Sequence, residues 1–322
     1  MAQNQHYVPQ SVLRRFCDGE GQLWTFDKRE RRSFRAGPRN VAAERGLYDI
    51  EGPDGRPVSL EDQLGQLEGD SAAIVTSILE REEIGFLTPE QRRTLCRFAA
   101  AQFVRIPGHR ERFRDMTEQF RTWVEERAPP GADLSAIPHD LSEEKLRLFT
   151  LKSILDSLRE LAPHFYSKAW LLLEAAPNRP FWISDNPVTM HNSRPAQAKW
   201  MGNIGLAVRG IQIYLPLSSH YALSFVCPTV ADEIVKGNED SIEIRHEWNH
   251  PLQSAEGIGH LADGVRYGFP VPSKPENMDF MNSLQVSRAE RWIFSATSDF
   301  GLAEIMLVDN PDLATGPRMT MG

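Results

Sequence analysis

Short runs of aromatic and β-branched residues, bounded by Gly, Pro, Asn or Ser, occur near the start of the chain and throughout its second half. Runs of this kind predict β-strands. We expect a first hairpin that pairs residues 22–28 with 32–35, and another short strand at 47–50. After residue 165 the strand pattern recurs in AWLLLEA, PFWIS, LAVRGIQIYLPL and YALSFVC, and it returns near the end in GLAEIMLV.

Between these regions the apolar residues recur every three or four positions, which predicts amphipathic helices. The expected helices cover residues 59–79, 88–106, 109–126 and 143–161, with a later one at 276–294. The helix expected at 88–106 begins with Thr88, which is followed by Pro89. Gln91 lies three residues after Thr88, and this is the pattern of a capping box. The Ala-, Pro- and Gly-rich segment 128–138 predicts a linker or surface loop.

These patterns predict an α+β fold. We expect a helical N-terminal half (about 59–162) with a small strand pair and a sheet-rich C-terminal half (about 165–310). Because the N-terminal strands are expected to join the later sheet, the halves should pack as one unit, a single domain over residues 1–322.

The composition is that of a soluble globular protein: of 322 residues, 41% are hydrophobic and 25% are charged. Disorder, collagen and coiled coil are excluded as the main state. No apolar run reaches the roughly 18 to 20 residues that cross a bilayer, so we expect no membrane partner. Cys17, Cys96 and Cys227 are far apart and form no C-x-x-C pair, which favours a reduced, cytoplasmic setting.

The net charge of −8 is unevenly distributed. Segments 14–45 and 92–127 each contain nine Lys or Arg against five Asp or Glu, whereas 51–90 contains two against ten. Two basic segments can form one positive face for a phosphate-bearing ligand. The alternative is that they neutralise the acidic segment between them.

Four familiar catalytic signatures are missing from the sequence: Walker A, G-x-S-x-G, H-E-x-x-H and the dinucleotide-binding glycine pattern. Candidate chemistry therefore rests on single residues. His6 precedes Val8 and Pro9, which favour an extended backbone. Its ordinary pKa near neutrality suits a general base or a metal ligand. The alternative is a structural histidine bonded to the backbone.

Asp185 and Asn186 follow the apolar run FWIS and precede a proline. At the end of a buried strand they would present a carboxylate and an amide to a cleft, with Asp185 activating water or holding a metal ion. The same residues also suit a structural turn.

Gln102 and Arg105 lie one turn apart near the end of an apolar helix and need buried partners. A bound anion or Asp185 would satisfy the guanidinium. The alternative is an ion pair with Glu44 or Glu68. Glu61 and Glu68, seven residues apart on one helix face, are further candidate metal ligands or solvated side chains.

The first basic segment also contains candidate phosphate-binding arginines. Arg14, Arg15 and Arg39 carry guanidinium groups that can bind phosphate through two parallel hydrogen bonds. Together with Asn186 they form the predicted substrate-binding set. No known nucleic-acid-binding module accompanies them.

Several segments in order resemble one family. The segments are NQHYVPQSVLRRF, GQLWTFDKR, PRNVAAERGLYDI, FAAAQFVRIP, WISDNPV, YLPLSSHYALSF and AERWIFS. They are similar to the domain-of-unknown-function family 4238. The resemblance implies a widespread, mostly bacterial, intracellular protein without an established activity. Members often carry a second histidine directly before the one that matches His6, where this chain has Gln5.

The leading expectation is an intracellular hydrolase acting on a phosphate-containing substrate, a nucleotide or nucleic acid. His6, Asp185, Arg105 and Gln102 would form its catalytic set. The alternative is a non-catalytic protein that senses a ligand or binds a partner in a bacterial defence or regulatory system. The sequence assigns no cofactor, leaves a divalent metal ion as one option, and leaves the oligomeric state open.

Overall fold

The computed structural model describes residues 4–51, 57–129, 142–194, 202–248 and 255–318. The predicted 128–138 linker falls almost entirely outside these ranges. The described helices are α1 Gln10–Leu13, α2 Glu61–Arg81, α3 Pro89–Val104, α4 Pro107–Arg127, α5 Glu143–Glu160, α6 Ala162–Tyr166, α7 Pro228–Trp248, α8 Ala255–Tyr267, α9 Pro275–Arg288 and α10 Gly301–Asp309. Short 3-10 turns follow α1, strand β3 and α10, at Arg14–Phe16, Pro38–Asn40 and Pro311–Ala314.

The strands form two larger sheets and two pairs. They are β1 Asn4–His6, β2 Leu23–Asp27, β3 Arg32–Ala36, β4 Ala43–Arg45, β5 Asp49–Glu51, β6 Pro57–Ser59, β7 Ala169–Glu174, β8 Ile183–Ser184, β9 Thr189–His191, β10 Gln212–Pro216, β11 Tyr221–Val226, β12 Pro270–Pro272 and β13 Trp292–Ser295. The five-stranded sheet has the order β12-β7-β11-β10-β9 and the four-stranded sheet the order β3-β2-β13-β8. Strands β1 and β4 form one pair, and β5 and β6 the other.

The fold class is α+β, as the pattern predicts. The N-terminal hairpin β2-β3 enters a sheet with β13 from the other end of the chain, and Trp24 pairs with Ser295 in that register. The division into halves is less sharp than expected, because six described strands precede α2 and four described helices, α7 to α10, lie in the C-terminal half. That the whole chain is a single domain stays a prediction.

The helix expected from 59 to 79 is α2, and the capping box is present as expected. Thr88 Oγ1 accepts a hydrogen bond from the Gln91 backbone, and the Gln91 side chain accepts one from the Thr88 backbone. The helix ends at Val104, and Arg105 occupies its C-terminal cap position. This end of α3 places Gln102 and Arg105 beside the N-terminal segment.

Two predictions near the C-terminus are wrong. The helix expected to reach residue 294 ends at Arg288, because the backbone N–H groups of Glu290, Arg291 and Trp292 bind the Asp185 carboxylate and Trp292 begins a strand. The GLAEIMLV segment is helix α10 rather than a strand. Its buried residues Ala303 and Leu307 lie four apart, whereas Ile305, which alternation would bury, is 62% exposed.

Most buried side chains belong to one cluster that connects the N-terminal segment, α2, α3, α5 and the five-stranded sheet. A smaller cluster joins β2, the end of α9, β13 and α10 around Phe26, Ile293 and Phe300. The main cluster packs around Val8, Leu13 and Phe16, which are fully buried. The N-terminal segment that carries His6 is therefore anchored to the core.

Candidate functional site

A cleft of about 290 Å³ lies between α2 and the N-terminal segment. Gly65 and Gly69 leave it open, since a Cβ atom added at either would meet no other heavy atom within 4 Å. They lie on the α2 face that also carries Glu61 and Glu68, as the one-turn spacing requires. The cleft is lined by His6, Gln10, Ser11, Tyr48, Glu61, Leu64, Gly65, Glu68, Gly69 and Ala72.

His6 lies at the end of β1 with its ring at the cleft. Its Nε2 lies 3.2 Å from the Pro38 carbonyl oxygen. Because a carbonyl oxygen only accepts, Nε2 carries the proton in the neutral ring and Nδ1 keeps its lone pair. Burial lowers the pKa of His6 below its ordinary value, and the backbone of Pro38 and Arg39 opposes this only in part. Because its pKa lies below the ordinary value of 6.5, the imidazole is mainly neutral at pH 7, with its lone pair on Nδ1.

Behind the cleft, Arg105 is 1% exposed, and each of its three guanidinium nitrogen atoms donates a hydrogen bond. Its Nη1 donates to Glu68 Oε1 at 2.6 Å, and its Nε and Nη2 donate to Gln102 Oε1 at 2.9 and 2.5 Å. Gln102 Nε2 in turn donates to the Tyr7 carbonyl at 2.8 Å. The expected approach of Arg105 to Asp185 is therefore wrong, and the alternative of an ion pair with Glu68 is correct. The network fixes the Glu68 carboxylate at the cleft wall.

Tyr48 lines the cleft directly before strand β5. It is a residue of the candidate site that the sequence does not predict. Its hydroxyl donates to the His6 carbonyl at 3.0 Å, and its backbone N–H donates to Gln5 Oε1 at 2.6 Å. Gln5 Nε2 donates to Asp49 Oδ1 at 2.8 Å. Gln5 thus fixes the strand that carries His6. These contacts join residues more than 40 positions apart, so no local pattern predicts them.

Glu61 is the second carboxylate at the cleft, in the first turn of α2. Partial burial raises the pKa of its carboxyl group, and the negative charges of Glu68 and Asp49 raise it further. The cleft thus contains a carboxyl group with a raised pKa and a neutral imidazole, the two kinds of group that general acid–base chemistry uses.

A second groove of about 470 Å³ adjoins this cleft and shares Gln10 with it. Arg14 and Arg39, two of the predicted phosphate-binding residues, line it, and both are exposed. Arg14 Nη2 donates to Gln10 Oε1 at 3.1 Å, which links the groove to the cleft. Pro38 also lines this groove, and its carbonyl oxygen accepts the hydrogen bond from His6 Nε2.

The third predicted arginine, Arg15, lines neither opening. Its Nη2 donates to the Ala72 carbonyl at 2.8 Å and to Thr76 Oγ1 at 3.1 Å, so its guanidinium holds the N-terminal segment against α2. Its assignment to substrate binding therefore has no support from its position. Arg14 and Arg39 remain the candidates for a phosphate group.

Asp185 was the first candidate for activating water, yet it lines neither the cleft nor the groove. Its Oδ1 accepts from the Glu290 N–H at 2.7 Å, and its Oδ2 accepts from the N–H groups of Arg291 and Trp292 at 2.7 and 2.8 Å. Burial raises its pKa to about 6, against the opposing effect of these bonds and of the charge on Lys28. These contacts make Asp185 a structural acceptor that joins the 184–187 turn to the end of α9.

Asn186 belongs to the same structural junction. Its Nδ2 donates to the Arg288 carbonyl at 3.1 Å, and its backbone N–H donates to Ser184 Oγ at 3.2 Å. It is 5% exposed and lines neither opening, so the structure does not bring it to the predicted arginines.

Within the part of the chain that the structure describes, no group of three or more His, Cys, Asp or Glu side chains is placed to hold a metal ion. His6, Glu61 and Glu68 share the cleft without forming such a group. The described helices include none that is both long and apolar enough to cross a membrane.

The fold and the cleft define an α+β protein in which an anchored N-terminal strand presents a neutral histidine to two carboxylates on a glycine-containing helix. The chain belongs to the family described as protein of unknown function (DUF4238), which matches residues 4–299. No curated protein and no solved structure matches it.

Proposed function

We propose that this protein is a hydrolase that acts on a phosphate-containing substrate, a nucleotide or nucleic acid. The observation that carries the proposal is the junction of the two openings at Gln10. One contains His6, Glu61 and Glu68, and the other presents two exposed arginines. A substrate lying across the junction would have its phosphate at the arginines and the bond to be broken beside His6.

In this proposal His6 is the general base. Its Nδ1 takes a proton from a water molecule as the water oxygen attacks phosphorus. Glu61, whose raised pKa keeps more of it protonated, donates a proton to the leaving oxygen. Arg14 and Arg39 stabilise the negative charge that develops on the phosphoryl oxygens. Arg105 and Gln102 do not touch substrate; they position Glu68.

The Glu68 carboxylate in the cleft wall repels a phosphate placed deep inside the cleft, and this supports binding of the phosphate at the arginines. The proposal includes a bacterial, cytoplasmic setting. The three cysteines support the cytoplasmic part of this proposal, because all of them are free thiols, as is usual in a reducing compartment.

A second candidate is a non-catalytic protein that senses a ligand or binds a partner. The pairing of Arg105 with Glu68 and Gln102, and of Asp185 with three N–H groups, favours it, since much of the predicted catalytic set is satisfied internally. Binding of a phosphate compound without turnover would support this candidate over the hydrolase.

The experiment is a steady-state assay of the purified protein with bis(4-nitrophenyl) phosphate, 4-nitrophenyl phosphate and a nucleotide panel. We expect turnover by the wild type and a loss of about a hundredfold or more in His6→Ala, the scale of a general base. His260→Asn, at an exposed position on α8, is the matched control and should retain full activity. Activity that survives His6→Ala would refute the assignment of the base.

The two arginines are tested separately. Arg14→Gln and Arg39→Gln should raise KM more than they lower kcat, because they bind the phosphate before the reaction. Arg45→Gln is a control at another exposed position of the same basic segment. Equal KM values in all three variants would place the phosphate elsewhere.

A further inference from the structure

A separate cavity of about 540 Å³ lies between one face of the five-stranded sheet and helices α7, α8 and α9. It shares no described lining residue with the cleft or the groove. Its floor includes Leu171 and Leu173 of β7 and Val226 of β11, and its walls include Leu261 of α8 and Met281 of α9. Its volume falls in the range of small-molecule sites, and an apolar lining of this kind suits the body of an organic ligand.

Polar side chains interrupt this apolar floor, and part of their hydrogen-bonding capacity is not used by the described residues. Ser224 lines the cavity and is 2% exposed, and its hydroxyl forms no hydrogen bond within the described part of the chain. Gln212 Oε1 accepts from the Tyr214 hydroxyl at 2.8 Å, which leaves the Gln212 Nε2 donor without an acceptor among the described residues. Ser224 and Tyr214 face each other in the register of β10 and β11.

Ser224 is buried and Gln212 is half-buried, and both line the cavity with a donor that no described residue accepts, so a ligand that brings oxygen acceptors to this floor would satisfy them. If no polar ligand group bound there, apolar side chains would be expected throughout the floor of this cavity. The head of the ligand is therefore polar, while its body is apolar.

The charges around the cavity indicate the sign of that head. Lys274 lines the cavity at the start of α9 and is exposed, and His191 lines it from β9. Among the described lining residues there is no Asp or Glu. No described acidic lining residue offsets the charge of this ammonium group, which favours a negatively charged ligand.

We propose that this cavity binds an amphipathic carboxylate, a molecule with an acyl-chain body and a single carboxylate head. The body lies against Leu171, Leu173 and Val226. The carboxylate accepts hydrogen bonds from Ser224 and Gln212, and Lys274 attracts it from the opening. This site is independent of the proposed hydrolase activity.

The test is isothermal titration of the purified full-length protein with dodecanoate below its micelle concentration. Gly257 lines the cavity on α8, and an added Cβ there would meet no atom within 4 Å. Gly257→Leu should therefore fill the cavity while favouring the helix. Gly65→Leu makes the same change in a helix at the other cleft. We expect one site per chain, at least tenfold weaker binding in Gly257→Leu and unchanged binding in Gly65→Leu.

Two further variants test how the cavity binds the carboxylate head of the ligand. Ser224→Ala should weaken dodecanoate about tenfold, the effect of losing one hydrogen bond to a charged group. Lys274→Gln should weaken it about threefold, and the exposed Lys236→Gln on α7 should not. Dodecanol should bind more weakly than dodecanoate. The proposal is overturned by an absence of saturable binding, by equal losses in the two glycine variants, or by dodecanol that binds as tightly as the acid.

Discussion

Replacement of Asp185 distinguishes a structural carboxylate from a catalytic one. In the folded protein it accepts hydrogen bonds from the N–H groups of Glu290, Arg291 and Trp292 at 2.7 to 2.8 Å. Asp185→Ala leaves these three donors without that acceptor in a site where the residue is 2% exposed. Bonds to charged groups are worth about 1.5 to 3 kcal/mol each, but removing a desolvated charge returns part of the loss. We expect a net destabilisation of about 3 to 5 kcal/mol.

Asp185→Asn retains the shape and one acceptor oxygen but turns an NH₂ group toward a backbone donor. We expect about 2 to 3 kcal/mol of destabilisation, measured by urea unfolding followed by circular dichroism. Asp279→Asn is the matched control, because Asp279 is 47% exposed and forms a surface ion pair with Arg179. That control should cost less than about 1 kcal/mol.

The pH dependence of the free energy of unfolding, compared between wild type and Asp185→Asn, tests whether the pKa of Asp185 is raised. The folded protein holds the Asp185 proton up to about pH 6, whereas the unfolded chain releases it near 3.8. This group therefore makes the free energy of unfolding fall as the pH rises from about 4 to 6, by at most about 3 kcal/mol. Asp185→Asn should lack that slope. An Asp185→Asn protein as stable as wild type at every pH, with its hydrolysis lost, would refute the structural assignment.

Three other predictions concern single positions. Because burial lowers the pKa of His6, the acid limb of the hydrolysis pH–rate profile should have its midpoint below pH 6.5, and a midpoint above 7 would contradict a buried base. Gly85→Ala should lower the melting temperature by several degrees at a cost of about 1 to 3 kcal/mol, because its Cβ would lie 2.1 Å from the Tyr267 carbonyl oxygen; calorimetry that shows no shift would contradict this packing. Thr88→Ala should cost about 1 kcal/mol in urea unfolding by removing the acceptor for Gln91, whereas Thr88→Ser should be close to neutral.

Local chemistry made part of the fold predictable. The Thr88 capping box and the helical period that follows it depend on neighbouring residues, and both occur as expected. The strand at Leu23–Asp27 and its pairing with the next strand were also predictable from local sequence patterns. By contrast, the segment GLAEIMLV, predicted as a strand, is helix α10. An apolar run of this kind suits either a buried strand or a helix, and only the packing of Ala303 and Leu307 in the second cluster distinguishes the two.

The candidate site was predictable only where its residues stand out chemically. His6, Gln102 and Arg105 are polar residues in apolar surroundings, and the structure places them together at or behind one cleft. The role of Asp185 depends on donors 105 to 107 residues away, which a turn motif does not reveal. Tyr48 reaches His6 across 42 residues for the same reason.

The most direct test of the account compares kcat/KM for phosphodiester hydrolysis in Gly65→Leu and Gly257→Leu. Both replace a helical glycine whose added Cβ meets no other atom, so neither should destabilise the fold. If the cleft beside His6 is the active site, Gly65→Leu should abolish hydrolysis and Gly257→Leu should leave it at the wild-type value. Full activity in a folded Gly65→Leu protein would contradict the account.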